Sequence, residues 1–271
     1  MDKIAICAIF KDEARYLLEW IAFHKLIGVD FFVLYDNNST DGGSDLIRKS
    51  VFARNVTLID WPERPGQLSA YQHFCDNLAS RFTWAAFIDI DEFIVPVSGG
   101  SIRDLLMRKT YANHSAILLQ WLVFGPSGHQ KRPDGLVMEN YDRRLPYDRA
   151  VNHHVKSLVR TKHVQNVGST PHIINVSGST CNTRGEVVYS YAAQSAECHD
   201  VMSVYHYYTK SAEDWDLKRR RGKADALDPL ATPYDNAVFE VMSYDATVHD
   251  ISAKRFIPRL HALLQANGAG R

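Results

Sequence analysis

The stretch AAFIDIDEFIVP, residues 85 to 96, ends an apolar run on two aspartates. A strand turns alternate side chains to opposite faces, so Asp89 and Asp91 are expected to project together from the end of a strand Trp84 to Ile90. Two carboxylates held this close repel each other unless positive charge lies between them. Aspartate also ends strands as a plain turn former, so the stretch alone fits a turn as well as a cation site. The surrounding sequence has to decide.

Towards the N-terminus, short apolar runs alternate with amphipathic ones: Ile4 to Phe10, Asp12 to Ile27, Phe31 to Tyr35, Ser44 to Ser50, Val56 to Ile59, Gly66 to Phe82, then Trp84 to Ile90. That order predicts β-α-β-α-β-α-β, a parallel sheet covered by helices. In the first helix Leu17, Leu18, Ile21 and Ala22 form the buried stripe, Asp12 is placed to cap the start and Gly28 to stop it. Sheets of this kind bind ligands outside the carboxyl ends of their strands. Those ends carry Lys11 and Asp12, then Asp36, then Asp60, then Asp89 and Asp91, which predicts a polar rim gathered from distant parts of the chain. Neither G-x-G-x-x-G nor G-x-x-x-x-G-K-[ST] occurs, which argues against a dinucleotide site and a P-loop NTPase.

The 271 residues are 45% hydrophobic, enough to bury a core as one large domain or two small ones without staples. Lys plus Arg and Asp plus Glu both number 31, so there is no global basic field for nucleic acid, and a charged ligand must be held locally. Apolar runs such as Ala116 to Phe124 fall short of the roughly 20 residues of a transmembrane helix. The first run is followed at once by Lys11, Asp12 and Glu13 and lacks a basic leader, so it reads as a strand rather than a signal peptide. Cys7, Cys75, Cys181 and Cys198 show no C-x-x-C spacing, and buried thiols in a reducing cytoplasm are the expectation.

Beyond Pro96 the pattern loosens into shorter strands and polar loops, a half expected to face substrate. The stretch SVYHYYTKSAEDWDLKRRRG, residues 203 to 222, then reads as a strand followed by a helix, with Ser211 and Asp214 as a capping pair and Gly222 as the stop. The strand is expected to place His206, Tyr208 and Lys210 on one face. The tail Ile251 to Ala266 is an amphipathic helix with Ile257, Leu260 and Leu264 on one side, expected to pack as a terminal helix, with peripheral membrane contact as the alternative.

A Mg²⁺ or Mn²⁺ ion takes a few protein carboxylates together with substrate phosphate oxygens. D-x-D at a strand end offers such a pair, and His206 is the candidate third ligand. The cluster Lys218, Arg219, Arg220, Arg221 and Lys223 is either a solvated helix face or a counter-charge for a diphosphate. Trp121, Phe124 and Trp61 are candidates for stacking on a ligand ring, with the core as their other destination.

Three blocks, KDEARYLLEWIAFHKLIGVDFFVLYDNNSTDGG, FIDIDEFIVP and HYYTKSAEDWDLKRRRG, together resemble the nucleotide-sugar glycosyltransferases of family 2 and, more closely, the family 92-like branch. The resemblance implies a GT-A fold, in which an α/β Rossmann-like sheet is continuous with a mixed-sheet half and C-terminal helices. The expected layout is a single domain over residues 1–271, with a nucleotide-sugar half at 1–96, an acceptor half at 97–210 and a helical segment at 211–271. It implies a UDP-sugar donor, a saccharide or glycolipid acceptor, and inversion at the anomeric carbon. By the same resemblance Asp36 meets the uracil, Phe10 and Lys11 form the other wall of the nucleotide pocket, and Asp89 faces the ribose and the metal's hydration shell. Asp91 and His206 then ligate Mn²⁺ or Mg²⁺, and Lys210 and Arg221 lie against the diphosphate. Glu139 is the expected catalytic base, with Asp142 and Glu92 as rivals. A cytoplasmic enzyme, at most touching the inner face of the membrane, is the expected setting. Two other readings stand beside it: a haloacid-dehalogenase-type phosphatase with Asp89 as nucleophile, and a non-catalytic sugar-binding protein on the same fold.

Overall fold

The computed structural model describes residues 2–189, 198–222 and 234–266. Its strands are β1 (Ile4–Phe10), β2 (Phe31–Asp36), β3 (Val56–Asp60), β4 (Trp84–Phe87), β5 (Glu92–Val95), β6 (His114–Phe124), β7 (Arg143–Arg144), β8 (Val155–Arg160), β9 (Val164–Val167), β10 (Ile174–Val176), β11 (Ser179–Asn182), β12 (Ser203–Tyr207) and β13 (Val248–His249). The helices are α1 (Ala14–Leu26), α2 (Gly43–Lys49), α3 (Gln67–Asn77), α4 (Ile102–Leu106), α5 (Val137–Asn140), α6 (Ala212–Arg221), α7 (Asn236–Asp245) and α8 (Ile257–Ala266).

All seven residues of β1 are buried, because both of its faces are covered. Ile4, Ile6, Ala8 and Phe10 enter one core with Leu17, Trp20 and Ile21 of α1. The alternate residues Ala5, Cys7 and Ile9 enter another with Ala70, Tyr71 and Phe74 of α3. β1 pairs in parallel with β2 and β4, and β2 with β3, which gives the anticipated parallel quartet. β8 then joins β4 antiparallel, and β6 joins β8 antiparallel, so the same sheet continues into a mixed half. β12 is parallel to the far end of β6 and antiparallel to β5, which brings His206 opposite Glu92. The fold is therefore α/β with a parallel half continuous with a mixed one, as expected.

Several boundaries differ from the sequence reading. β4 stops at Phe87, so Asp89 and Asp91 lie in the turn to β5 rather than on a strand. Asp12 does not cap α1: its φ is 50° and its carboxylate accepts from Thr40 N at 2.7 Å, while Asp41 takes the Ala14 N–H at 2.7 Å. β12 ends at Tyr207, and Lys210 has a φ of 53°, so the expected alternation of His206, Tyr208 and Lys210 breaks at its last member. The Ser211 and Asp214 capping box and the Gly222 stop at φ 77° are present as read. The tail divides into a tight turn Ser252–Phe256 and α8, whose Leu260 and Leu264 are buried in the core that also holds α1. All four thiols are free, three of them buried.

Candidate active site

A cavity of about 260 Å³ opens at the carboxyl ends of β1 and β4 and is closed on one side by α6. Phe10, Lys11 and Asn37 reach it from the β1 and β2 ends, and Asp89 and Asp91 from the turn after β4. Trp121 and Lys156 enter from β6 and β8, His206 from β12, and Lys218 and Arg221 from α6.

Two buried lysines stand where the two aspartates need positive charge. Asp89 accepts from Gln67 Nε2 at 2.7 Å through one oxygen and from Lys156 Nζ at 2.9 Å through the other. Lys156 Nζ is also 3.4 Å from Glu92 Oε2. Burial works against the charge on Lys156, but the Asp89 and Glu92 carboxylates outweigh it and hold the ammonium firmly protonated. Glu92 is pushed up by its own burial, against the pull of Lys156 and with the help of the Asp89 and Asp91 charges. The turn is pinned from beneath, where Trp20 Nε1 donates to the Asp89 carbonyl at 3.1 Å and the Glu92 carbonyl at 2.7 Å.

Asp91 accepts from Lys218 Nζ at 2.7 Å, and His206 Nε2 lies 3.5 Å from the same oxygen. Burial opposes the carboxylate, yet Lys218 and then His206 hold it well below the usual carboxylate range. Burial lowers His206 and leaves its ring neutral near pH 7. Its Nδ1 is buried without a hydrogen-bond partner among the described residues, as is Glu92 Oε1 3.9 Å away.

Arg221 joins α6 to the loop after β1, donating to the Lys11 carbonyl at 2.7 Å and to Glu13 at 2.5 Å. On the opposite wall, Trp121 packs edge-on against His206, with ring centroids 4.4 Å apart. Beside it His172 Nδ1 is bonded to the Val155 carbonyl at 2.9 Å, and burial lowers the ring to about 4. A carbonyl only accepts, so Nδ1 carries the proton and Nε2 keeps its lone pair.

Of the residues expected at the site, Phe10, Lys11, Asp89, Asp91, His206 and Arg221 meet at this cavity. Asp36 does not line it: its carboxylate is taken up by Ser39 N at 2.8 Å and by the Ser44 hydroxyl, and the neighbouring Asn37 lines the wall instead. Lys210 lines a different cavity, because its left-handed backbone turns it away from the His206 face. Glu139 is outside both, held by Leu136 N at 2.9 Å and His261 Nε2 at 2.5 Å at the start of α5. Asp142 is likewise elsewhere, bound to His249 and Lys254, and Glu92 is buried beneath the turn with no exposure. Asp60 projects into solvent, and Lys223 lies outside the described residues. Phe124 and Trp61 are packed against Tyr205 and Tyr35 and not at the cavity. Lys156 was missed by sequence reasoning, although a lone lysine in the otherwise buried run VKSLVR is the signal that marks it.

Among the described residues no group of three or more His, Cys, Asp and Glu side chains encloses an ion. Asp91 Oδ2 and His206 Nε2, 3.5 Å apart at the cavity wall, are spaced as two ligands of one ion, with Lys218 Nζ on that same oxygen to be displaced. Adjacent ligands of octahedral Mg²⁺, with bonds of about 2.1 Å, are separated by roughly 3 Å, and such ions leave other positions to water and phosphate. Asp89, turned to Gln67 and Lys156, is not in that pair.

The α/β sheet thus carries a cavity lined by carboxylates and lysines at the ends of its parallel half. The chain belongs to glycosyltransferase family 92, whose family model matches residues 2–225. A family 92 protein of Oryza sativa subsp. japonica is 33% identical over 175 residues, 64% of this chain and 28% of that protein. One of Ricinus communis is 29% identical over 146 residues, 53% of this chain and 26% of that protein. The chain thus spans little more than a quarter of either relative's length. Among solved structures, S. aureus TarS in complex with UDP aligns over 59% of this chain and 47% of its own at 13% identity, with a TM-score of 0.40. Glucosyl-3-phosphoglycerate synthase from Mycobacterium tuberculosis, in complex with Mn²⁺, UDP and glucosyl-3-phosphoglycerate, aligns over 44% of each chain at 18% identity, with a TM-score of 0.31.

Proposed function

We propose that this chain transfers a hexose from a UDP-sugar to a hydroxyl of a saccharide or glycolipid, with inversion and with Mn²⁺ or Mg²⁺ as cofactor. The observation that carries the reading is the single cavity in which Asp89, Asp91 and His206 meet Lys156, Lys218 and Arg221 at the carboxyl ends of β1 and β4. Breaking the bond from sugar to phosphate leaves negative charge on the diphosphate, and fixed positive groups aimed at that charge lower the barrier. Lys218 and Arg221 supply them from α6, and Lys11 from the β1 end. Asp91 and His206 would hold the metal, which when bound acts as a Lewis acid on the departing diphosphate. Phe10, Lys11 and Asn37 form the wall for the nucleoside.

On the sugar side His172 offers Nε2 as a hydrogen-bond acceptor for a hydroxyl, and the Trp121 ring covers the floor. Glu139, fixed by His261, has no part in this arrangement. A phosphatase with Asp89 as nucleophile is disfavoured, because both Asp89 oxygens are engaged. The test is calorimetric titration of UDP with and without Mn²⁺. Mn²⁺-dependent binding that disappears in Asp91→Asn supports the reading, and no UDP binding under either condition refutes it.

A further inference from the structure

A second cavity, of about 620 Å³, adjoins the first and shares Lys11, Glu13, Lys218 and Arg221 with it. Seven basic side chains line it against four acidic ones, and each of the four is already engaged. Asp12 and Asp41 accept from the backbone N–H groups of Thr40 and Ala14. Glu13 holds Arg221, while Asp214 holds Ser211, Tyr16 and Arg132.

Lys210 is the exception. Only 5% of it is exposed, yet no carboxylate among the described residues lies within 4.0 Å of its ammonium. Its Nζ finds the Tyr207 carbonyl at 3.5 Å and the Tyr16 ring at 4.7 Å from the centroid. A carbonyl and a ring face are weak company for a buried charge, which is costly unless paired. Its backbone adds a second observation. At φ 53° Lys210 occupies the left-handed region that a long side chain rarely adopts, and this conformation diverts it from the donor cavity into the second one. Burial also lowers its pKa, so the more distant carboxylates do not fully compensate it. Lys11 and Arg15, likewise without carboxylate partners among the described residues, complete the lining on the β1 side.

We propose that this second cavity binds an anionic group, a phosphate or a carboxylate, with Lys210 as its buried anchor and Lys11 and Arg15 beside it. The site stands on its own geometry, and only the identification of its ligand as an anionic substituent on the acceptor rests on the transferase reading. Because it borders the D-x-D cavity across Lys218 and Arg221, an acceptor held there is next to the donor.

The test is titration of inorganic phosphate and of glucuronate into the protein, each with and without saturating UDP. Binding of at least one anion in the presence of UDP is expected, and the tighter of the two names the group. Lys210→Met should weaken that binding about tenfold or more, as loss of a charge-assisted hydrogen bond does, and Lys11→Ala should weaken it severalfold. Asp91→Asn should abolish UDP binding while anion binding persists, because it frees Lys218 and removes none of the cavity's basic groups. The proposal is overturned if neither anion binds, if UDP displaces the anion, or if Lys210→Met keeps wild-type affinity. Should Lys210→Met fail to fold, the partly exposed Lys11→Ala decides in the same way. Loss of UDP binding alone would sink the transferase reading and leave this site standing.

Discussion

At the scale of single residues, the ion pair between Asp91 and Lys218 is both a structural hazard and the centre of the site. The two side chains are 8% and 9% exposed, so each charge depends on the other. Removing one partner of a buried pair typically costs about 3–5 kcal/mol, whereas removing both for an apolar fit is close to neutral. Asp91→Asn should therefore lower the urea-unfolding free energy by about 3–5 kcal/mol, and Asp91→Asn with Lys218→Met should regain most of it. UDP binding should stay lost in both, which separates the carboxylate's role in the site from its role in the fold. A double variant as unstable as the single one would show that Asp91 stabilises through other contacts. The sign with pH follows from the same pair. Asp91 is held below its ordinary value, so its contribution is present at neutral pH and lost as pH falls through the folded-state value. Lys156 was the least legible residue of the site, because nothing in VKSLVR tells which face of the strand meets Asp89 until β8 has paired with β4.

At the scale of elements, a buried carboxylate couples α1 to α5. Glu19 on α1 accepts from Val137 N at 2.8 Å and Met138 N at 3.2 Å, and burial pushes it up to about 7 from 4.5 despite those two bonds. Below about pH 4.5 the folded and unfolded states are both protonated and Glu19 contributes nothing to the pH dependence. Between about 4.5 and 7 the unfolded state gives up its proton first, so stability falls as pH rises, by about 3 kcal/mol in total, and then levels off. Glu19→Gln should remove that slope when unfolding is followed by urea at pH 5 and pH 8. Equal slopes in the two proteins would show that Glu19 titrates normally. The elements around it were legible from local signals: the β-α alternation of the first third, the S-x-x-D box and the Gly222 stop all appear as read. What failed was decided by tertiary pairing. Glu139 is the base expected from the sequence, but α8 folds back and brings His261 to it. Asp36 matched the family pattern, yet the Ser39 and Ser44 contacts turn it into the loop.

At the scale of the whole molecule, the two ends of the described chain close one core. Leu260 and Leu264 of α8 are buried with Leu17, Trp20 and Phe23 of α1, and Phe256 meets Phe23 edge-on at 5.5 Å. No helix among the described residues is long and apolar enough to cross a membrane, and the apolar stripe of α8 is already spent on the core. That stripe had two possible destinations on sequence grounds, a membrane surface or packing as a terminal helix, and in the structure it packs in the core that holds α1. Leu260 has no exposure, and truncating such a residue removes its transfer free energy and leaves a cavity, together about 2–5 kcal/mol. Leu260→Ala should therefore lower the unfolding free energy by that amount, with a single cooperative transition, because β1, α1 and the tail share one core. The same variant should show no change in association with anionic vesicles, since the side chain never reached them. A variant of unchanged stability that lost vesicle binding would mean that α8 leaves the core and lies on the membrane, and the closure of the fold by its two ends would be wrong.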